Sequence, residues 1–205
     1  DEHGIEALSM RRLADELGVV PMALYKHVAS KEELLDAMVD RVVDEIGPSG
    51  PRGRGWRASA RGRILTARST LLRHPWARRV IETRTARSPI VLTYLDSVAA
   101  ILLAGGLTPE LVHHSMHAIG SRVWGFTQDV FETDVPAPEP DPDVMAELAA
   151  RLPSLVRVAS AVSHDTDSAV GYGCDDQYEF EFALDLLLDG IARLHRAHWQ
   201  PPARS

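Results

Sequence analysis

Two segments of this chain repeat apolar residues at alternating intervals of four and three, the spacing of one face of an α-helix. One lies in a helix predicted from Pro109 to about Phe131, and the other in a helix predicted from Asp176 to about His198. Their members are Val112, Met116, Ile119, Val123, Phe126 and Val130 in the first, and Phe180, Leu184, Leu187, Ile191 and Leu194 in the second. Helices of this kind need cover from a core, from a second copy of the chain, or from both.

Other parts of the chain also favour helices. Further helices are predicted over 56–74, 89–104 and 142–162, and Pro153 is a candidate break in the last of these. Strand-type alternation of apolar and polar residues does not stand out, and neither does an internal repeat. The sequence therefore predicts an all-α fold.

The first 46 residues predict three short helices, over 10–17, 21–27 and 31–46. Ser9 is suited to cap the first helix, and Gly18 stands where a left-handed residue would end it. Ser30 and Glu33 form a capping-box pattern at the start of the third helix. A connector rich in glycine and proline, residues 47–55, follows and marks the candidate domain boundary near this end.

The first two of these helices, joined at a glycine, have helix-turn-helix geometry, which places the second helix in a major groove of DNA. The inner face of the first helix is Leu13, Ala14 and Leu17, and the side chains expected to lock the two helices together are Leu13, Leu17, Leu24 and Val28. Those expected to face base edges are Pro21, Met22, Ala23 and Lys26. Because Met22 and Ala23 have no hydrogen-bonding side chain, they could contact only thymine methyls and groove walls. Side chains suited to phosphates are Arg11, Tyr25, His27 and Lys31.

The charge of the chain limits how it could bind nucleic acid. The net charge is −7, and residues 1–46 hold five Lys or Arg against eleven Asp or Glu. DNA contact would therefore come from a few placed cations and not from a generally basic surface. Residues 52–87 hold eleven Arg and one acid. We interpret that run as solvated helix faces, with a second DNA-contacting surface as the alternative.

Cysteine content and hydropathy bear on the compartment. Cys174 is the only cysteine, so no intrachain disulfide can form, which suits a reducing cytoplasm. The most apolar stretch, residues 90–107, contains Asp96 and ends at two glycines. Its length and interruption favour a buried core helix over a membrane span. We expect a cytoplasmic protein with no membrane partner.

The N-terminal motif closely resembles the DNA-binding domain of TetR-family transcriptional regulators. The matching residues are Gly4-Ile5-Glu6-Ala7-Leu8-Ser9-Met10-Arg11-Arg12-Leu13-Ala14-x-x-Leu17-Gly18-Val19 and Ala23-Leu24-Tyr25-x-His27-Val28-x-x-Lys31-x-x-Leu34-Leu35. In the family these form helices two to four, so the first helix is expected to be incomplete in this sequence. Val20 departs from the Ser or Thr that caps the family's recognition helix.

The remainder resembles the family's C-terminal domain, most closely that of the tetracycline-repressor subgroup. The matching segments are Leu71–Trp76, Gly105–Thr108 and Tyr178–Gly190. The resemblance implies a DNA-binding domain over 1–46, a linker over 47–55, and a helical ligand-binding and dimerisation domain over 56–200. Ile81 stands where that subgroup has a histidine that helps to hold a metal–drug chelate. We therefore expect a different inducer, no bound metal and no cofactor.

The candidate ligand-binding residues are Ile81, His113, Met116, His117 and Trp124. His113 and His117 lie four apart on one helical face, a spacing that permits metal ligation, but no third ligand follows at a diagnostic distance. The alternatives are a polar lining of a ligand cavity and an ordinary surface or interface. Trp124 lies on the same face and could close a pocket or pack between helices.

The resemblance implies a homodimer on a palindromic operator, with two reading helices in successive major grooves about 34–36 Å apart. Interface candidates are Val112, Ile119, Val123, Phe180, Leu184, Leu187 and Ile191. A small-molecule effector in the helical core would release a repressor from this operator. The competing hypotheses are a helical ligand-binding module without DNA binding and a histidine-rich, metal-dependent helical enzyme. No nucleophile–base pair, phosphate loop or pair of carboxylates at a telling spacing supports the enzyme.

Overall fold

The computed structural model describes residues 5, 7–48, 55–83, 88–124, 142–159, 161 and 176–202. These residues form ten helices and no strand, which confirms the all-α prediction. The helices are α1 Met10–Glu16, α2 Pro21–Leu24, α3 Lys31–Glu45, α4 Gly55–Arg73, α5 Pro75–Thr83, α6 Pro89–Ala104, α7 Pro109–Trp124, α8 Pro142–Arg151, α9 Pro153–Ala159 and α10 Asp176–Arg196.

Local capping sets the boundaries of the first helices. The Oγ atom of Ser9 accepts a hydrogen bond from the backbone N of Arg12 at 3.1 Å. Gly18 follows the C-cap of α1 with φ +66°, a left-handed conformation that glycine adopts without a Cβ penalty. Helix α2 ends at Leu24, three residues earlier than predicted, and residues 25–27 continue as a turn. The helix-turn-helix segment is therefore present with a shorter second helix.

The predicted capping box of α3 is present in a variant form. The Oγ atom of Ser30 accepts from the backbone N of Glu33 at 3.1 Å. The Glu33 carboxylate accepts from the backbone N of Ala29 at 2.5 Å, one residue before the N-cap whose N–H the box usually satisfies. Two backbone donors at the start of α3 are thus satisfied by side chains three and four residues away.

Leu17 does not take the inner position that the sequence predicts. Its side chain is 59% exposed, whereas Met10 and Ala14 are buried on the inner face of α1. The reason is that α1 ends at Glu16 and Leu17 is its C-cap, one turn beyond the residues that face inward. Leu13, Leu24 and Val28 are partly buried and remain consistent with the prediction that they join the two helices.

Helix α3 shares a core with the helices that follow it, against which it packs at α4, α5 and α6. The buried members of this core are Leu35, Val39, Val43, Ile46, Ala67, Val80, Tyr94 and Val98. Helix α5, which the sequence reasoning did not predict, contributes Val80, and Trp76 and Ile81 pack partly buried against the same core. Helices before and after the predicted boundary at 47–55 therefore share one core, and the division of the chain there stays a prediction.

The turn between α6 and α7 follows the predicted pattern. Gly105 is the C-cap of α6, Gly106 follows with φ +84°, and the Oγ1 atom of Thr108 accepts from the backbone N of Leu111 at 3.3 Å. A Cβ atom on Gly105 would overlap with the side chain of Trp56, near the start of α4. Glycine at position 105 therefore allows the start of α4 to pack closely against this turn.

Residues 1–124 and 188–205 form one compact unit by their contacts, and residues 125–187 form another. Within the second unit, α8 and α9 pack together, and the predicted break at Pro153 is present because α8 ends at Arg151. Phe126 and Val130 of the predicted apolar stripe, and Cys174, fall outside the described residues. No helix in the described ranges combines the length and apolar character required to cross a membrane.

Candidate DNA-reading face and effector cavity

The side chains predicted to face base edges lie at the surface. Met22 is 71% exposed, Pro21 and Lys26 are exposed, and Ala23 is half-buried. Among the predicted phosphate contacts, Arg11, Tyr25 and His27 are exposed. The glycine turn and the short α2 thus present one accessible surface, called the reading face below, made of Arg11, Pro21, Met22, Ala23, Tyr25, Lys26 and His27.

Lys31 differs from the other predicted phosphate contacts. It is half-buried, and its Nζ atom donates a hydrogen bond to the backbone carbonyl of Leu8 at 2.7 Å. This contact joins the first turn of α3 to the segment before α1, 23 residues earlier. Its ammonium group has a structural partner inside the protein, so any phosphate contact would share the same nitrogen.

The reading face borders apolar side chains that sequence reasoning did not select. Val20 is 67% exposed as the N-cap of α2, and Val19 is also exposed. A valine cannot accept a hydrogen bond from the helix amides, so Val20 does not serve as a side-chain cap. The departure of Val20 from the family's Ser or Thr was the sequence feature that could have identified it. The surface beside α2 is therefore more apolar than the sequence interpretation held.

A cavity of about 30 Å³ lies among helices α4, α6 and α7. Its lining residues are Ile64, Tyr94, Leu95, Val98, Met116, Ile119 and Gly120. Of the predicted ligand-binding residues, Met116 lines this cavity; Ile119, predicted at the dimer interface, lines it too. A space of this volume holds about two water molecules, so in this conformation it is too small for a drug-sized molecule.

The remaining candidate ligand residues lie elsewhere. Ile81 packs against the core shared with α3, outside the set that lines the cavity. His113 and His117 are exposed on α7 with ring centroids 4.7 Å apart. The side chain of Trp124 lies outside the described residues. Within the described ranges, no group of three or more His, Cys, Asp or Glu side chains is placed to hold a metal ion.

Arg63 is a buried arginine within the segment that we interpreted as solvated helix faces, and that interpretation is wrong for this residue. Its side chain reaches inward from α4, and the residue is only 8% exposed. Its Nη1 atom donates to the carbonyl of Gly47 at 2.6 Å, and its Nε atom donates to Oγ of Ser97 at 3.1 Å. The guanidinium carbon lies 4.7 Å from the ring centroid of Tyr94, a cation–π distance.

The environment of Arg63 and Tyr94 affects the protonation of both. Burial raises the pKa of Tyr94 to about 12, and the nearby positive charge of Arg63 opposes this rise. Burial lowers the pKa of Arg63 from its ordinary value, and Tyr94 opposes that change. At neutral pH the tyrosine hydroxyl therefore stays protonated and neutral, and the guanidinium stays charged.

Sequence reasoning could have identified Arg63 from its register. The successive buried residues of α4 are three, one, three and three positions apart, as on one face of a helix, and Arg63 belongs to that inner face. The members of the inner face are Ala60, Arg63, Ile64, Ala67 and Thr70. An arginine in this register has to bury its charge or distort the helix contact. The abundance of arginine in this segment obscured that conflict.

Three further polar contacts join α3 to the chain that follows it. The carboxylate of Glu45 lies 3.0 Å from Nε2 of His74 and 3.9 Å from Nη2 of Arg73. At the N-terminus of α6, the hydroxyl of Ser88 donates to the carboxylate of Asp40. The end of α3 is therefore tied to α4, α5 and α6 by side chains as well as by the apolar core.

The candidate dimer residues are for the most part buried within one chain. Val112, Ile119, Phe180, Leu184 and Ile191 are each 5% exposed or less. Leu187 is half-buried, and the side chain of Val123 lies outside the described residues. On α10 the exposed apolar side chains are Tyr178, Phe182 and Leu186, and the first two rings stack at 6.4 Å. The assignment of an interface stays a prediction, but these exposed neighbours have more surface to offer a partner.

Comparison with known families and proteins agrees with these features. Residues 1–38 match the model described as bacterial regulatory proteins of the tetR family, and residues 48–195 match the tetracyclin repressor-like C-terminal domain. The HTH-type transcriptional repressor DrrR1 of Streptomyces coeruleorubidus is 32% identical over 197 residues, covering 93% of this chain and 72% of the relative. The tetracycline repressor of class G from Vibrio anguillarum is 27% identical over 200 residues, covering 96% of this chain and 90% of the relative.

A solved structure gives the same result. The TetR-family protein ActR of Streptomyces coelicolor, crystallised in complex with actinorhodin, aligns with a TM-score of 0.69 and 26% identity. The alignment covers 94% of this chain and 90% of ActR. The helix-turn-helix segment, the helical C-terminal body and both family models thus lead to one conclusion. The chain belongs to the TetR family of ligand-responsive, DNA-binding transcriptional regulators.

Proposed function

We propose that this chain is a repressor that binds a palindromic operator as a homodimer in the cytoplasm and leaves it when a small molecule enters the helical core. We further propose that it has no enzymatic activity. The observation that carries the proposal is the exposed reading face around the glycine turn of α1 and α2, which is followed by α3, whose core is shared with helices that line a cavity.

The reading face would enter a major groove with α2. Pro21, Met22, Ala23 and Lys26 would face base edges, with the exposed Met22 contacting thymine methyl groups. Arg11, Tyr25, His27 and Lys31 would contact phosphates on either side. Because the cations on this surface are few, the fall in operator affinity with added salt would come from these individual phosphate contacts.

The effector site would form among α4, α6 and α7. A cavity of about 30 Å³ is much smaller than a typical ligand pocket of about 300–1,000 Å³. Ligand entry therefore requires these helices to separate. Apart from the Tyr94 hydroxyl the lining is apolar, which favours a largely apolar molecule with few polar groups. The complex of ActR with actinorhodin supports a small-molecule effector for a protein of this fold. His113, His117, Trp124 and Ile81 stay candidates for a larger open pocket.

Ligand would act by binding the DNA-incompetent conformation more tightly than the DNA-competent one. The coupling free energy in such systems is typically about 1–3 kcal/mol. Movement of α4 and α6 would change the separation of the two reading helices, which have to lie about 34–36 Å apart to fit successive grooves.

Homodimerisation would use the exposed face of α10. Leu186→Asp introduces a charge on this face, and we expect a shift toward the monomer in sedimentation velocity. Val158→Asp, at an exposed apolar position on α9, is the matched control and should leave the mass unchanged. An unchanged mass for Leu186→Asp would contradict this placement of the interface.

The proposed function is tested by a gel-shift titration with DNA from beside the chain's own gene. Saturable binding to one fragment, lost with added salt, is the expected result. A thermal-shift screen of small molecules then identifies effectors, because a ligand that binds the folded state raises the melting temperature. A dimer that ignores every fragment of its own promoter region would overturn the proposal.

A further inference from the structure

Arg63 contacts two parts of the molecule at once. One is Gly47, just after the DNA-reading segment (residues 1–46), and the other is the wall of the cavity. Its Nη1 atom holds the carbonyl of Gly47, two residues beyond the end of α3. Its guanidinium covers the ring of Tyr94, which lines the cavity, and its Nε atom bonds to Ser97 on α6. One planar group therefore spans the distance from the end of α3 to α6.

The geometry of a guanidinium makes this contact sensitive to its surroundings. The group is planar and its donors have fixed directions, so the ring of Tyr94 and the hydroxyl of Ser97 together set the plane in which Nη1 meets Gly47. Among the residues that the structure describes, the partners of Arg63 are uncharged. A buried charge with neutral partners relies on correct hydrogen-bond geometry, because desolvation is not offset by a counter-ion.

The polar contacts that Glu45 and Asp40 of α3 make with the chain that follows do not reach the cavity. Glu45 meets His74 and Arg73 near the junction of α4 and α5, and Asp40 meets Ser88 at the start of α6. None of these five residues lines the cavity. Arg63 is set apart from them by its contact with a lining side chain.

We propose that Arg63 is the positioning residue that transmits occupation of the cavity to the DNA-reading segment. With the cavity closed, Tyr94 and Ser97 hold the guanidinium on Gly47. A ligand larger than the cavity displaces Tyr94, the hydrogen bond from Arg63 to Gly47 is lost, and the end of α3 is released. This inference rests on the proposed function and deepens it.

A double-mutant cycle tests the proposal without a known inducer. Met116→Trp places a bulky side chain in the cavity and serves as the surrogate for a ligand, and Arg63→Met removes the guanidinium. Operator affinity is measured by fluorescence anisotropy on a fragment that the wild-type dimer binds. We expect each single variant to lose affinity by about tenfold, within the usual range of allosteric coupling. The double variant should lose no more operator affinity than the single variant that has the larger loss.

Additive losses, about 100-fold in the double variant, would show that Arg63 and the cavity act independently and would overturn the proposal. Arg57→Met is the matched control, because Arg57 is on the same helix and forms a half-exposed ion pair with Asp189. It should change affinity little and should combine additively with Met116→Trp. If Met116→Trp does not fold by circular dichroism, Ile119→Phe is the milder substitute at the same cavity.

A readout without DNA separates this proposal from the proposed function. The backbone N–H groups of Ile46 and Gly47 donate to Val43 and Asp44 at the end of α3, and their hydrogen exchange reports its opening. Met116→Trp should accelerate this exchange in the wild type and have no further effect in Arg63→Met. Unchanged exchange would refute the link even if operator binding is normal. Changed exchange in a protein that binds no operator would refute the proposed function alone.

Discussion

The reading face and the junction around Arg63 hold their polar side chains in opposite ways. Helices α1 and α3 are capped by side chains three or four residues away, and the side chains of the reading face lie in solvent. At the junction, the hydrogen-bond partners of Arg63 are 16 and 34 residues away in sequence, and the guanidinium is buried. A surface built from local contacts can change its sequence with little effect on folding, whereas a buried junction exists only once the helices have packed.

This comparison makes a first prediction at Tyr25, where we expect the largest effect. The exposed hydroxyl would bond to a phosphate, and a hydrogen bond to a charged group contributes about 1.5–3 kcal/mol. Because a dimer makes this contact twice, Tyr25→Ala should reduce operator affinity at least about 100-fold in an anisotropy titration. Tyr25→Phe keeps the ring and isolates the hydroxyl. If Tyr25→Ala lowered the melting temperature instead, Tyr25 would be part of the fold, and the contrast between the reading face and the buried junction would not hold.

The buried packing of α4 on the α6–α7 turn should respond in the opposite manner. Gly105→Ala places a Cβ atom into the side chain of Trp56, and we expect a loss of about 1–3 kcal/mol in the free energy of unfolding by urea denaturation. Gly62→Ala is the matched control, because a Cβ atom there meets no atom within 4 Å and replaces glycine inside α4. It should stabilise the protein by about 0.5–1 kcal/mol. Equal effects at the two glycines would contradict the close packing of α4 on the α6–α7 turn.

The smallest expected effect concerns base recognition by Met22. Replacing a contacted thymine of the operator with uracil removes one methyl group and leaves every hydrogen-bonding atom in place. Loss of one buried methyl costs about 0.8 kcal/mol, or about fourfold in affinity. In a Met22→Ala variant the same replacement should have almost no effect. A uracil operator that binds both proteins as tightly as thymine DNA would show that Met22 does not read methyl groups.

The parts of the fold that were predictable from sequence are those fixed by neighbouring residues. Ser9, Gly18, Ser30 and Thr108 each act within four residues, and the helix ends that they define lie close to the predicted ones. Helix α5 was not predicted because Pro75, directly after the predicted helix 56–74, indicates a helix end. Proline is equally well suited to begin a helix, and α5 begins there.

The parts that sequence reasoning could not place depend on long-range packing. The four-three stripes on α7 and α10 correctly indicated apolar faces, but periodicity does not distinguish a face covered by the chain itself from one covered by a partner. Phe180 and Leu184 of the α10 stripe are buried within the single chain, whereas Phe182, outside that stripe, is exposed. Likewise, the spacing of His113 and His117 suggested that they line a cavity. Both are exposed, and the cavity lies on the side of α7 that carries Met116.

The small volume of the cavity among α4, α6 and α7 has a kinetic consequence. A binding space of about 30 Å³ admits no effector of ordinary size until the helices separate, so separation precedes binding. In stopped-flow mixing, the observed rate should become independent of effector concentration at high concentration, where it equals the rate of that opening. At high effector concentration, the response time of the regulated genes would then depend on the rate at which the three helices separate and not on the concentration of the effector.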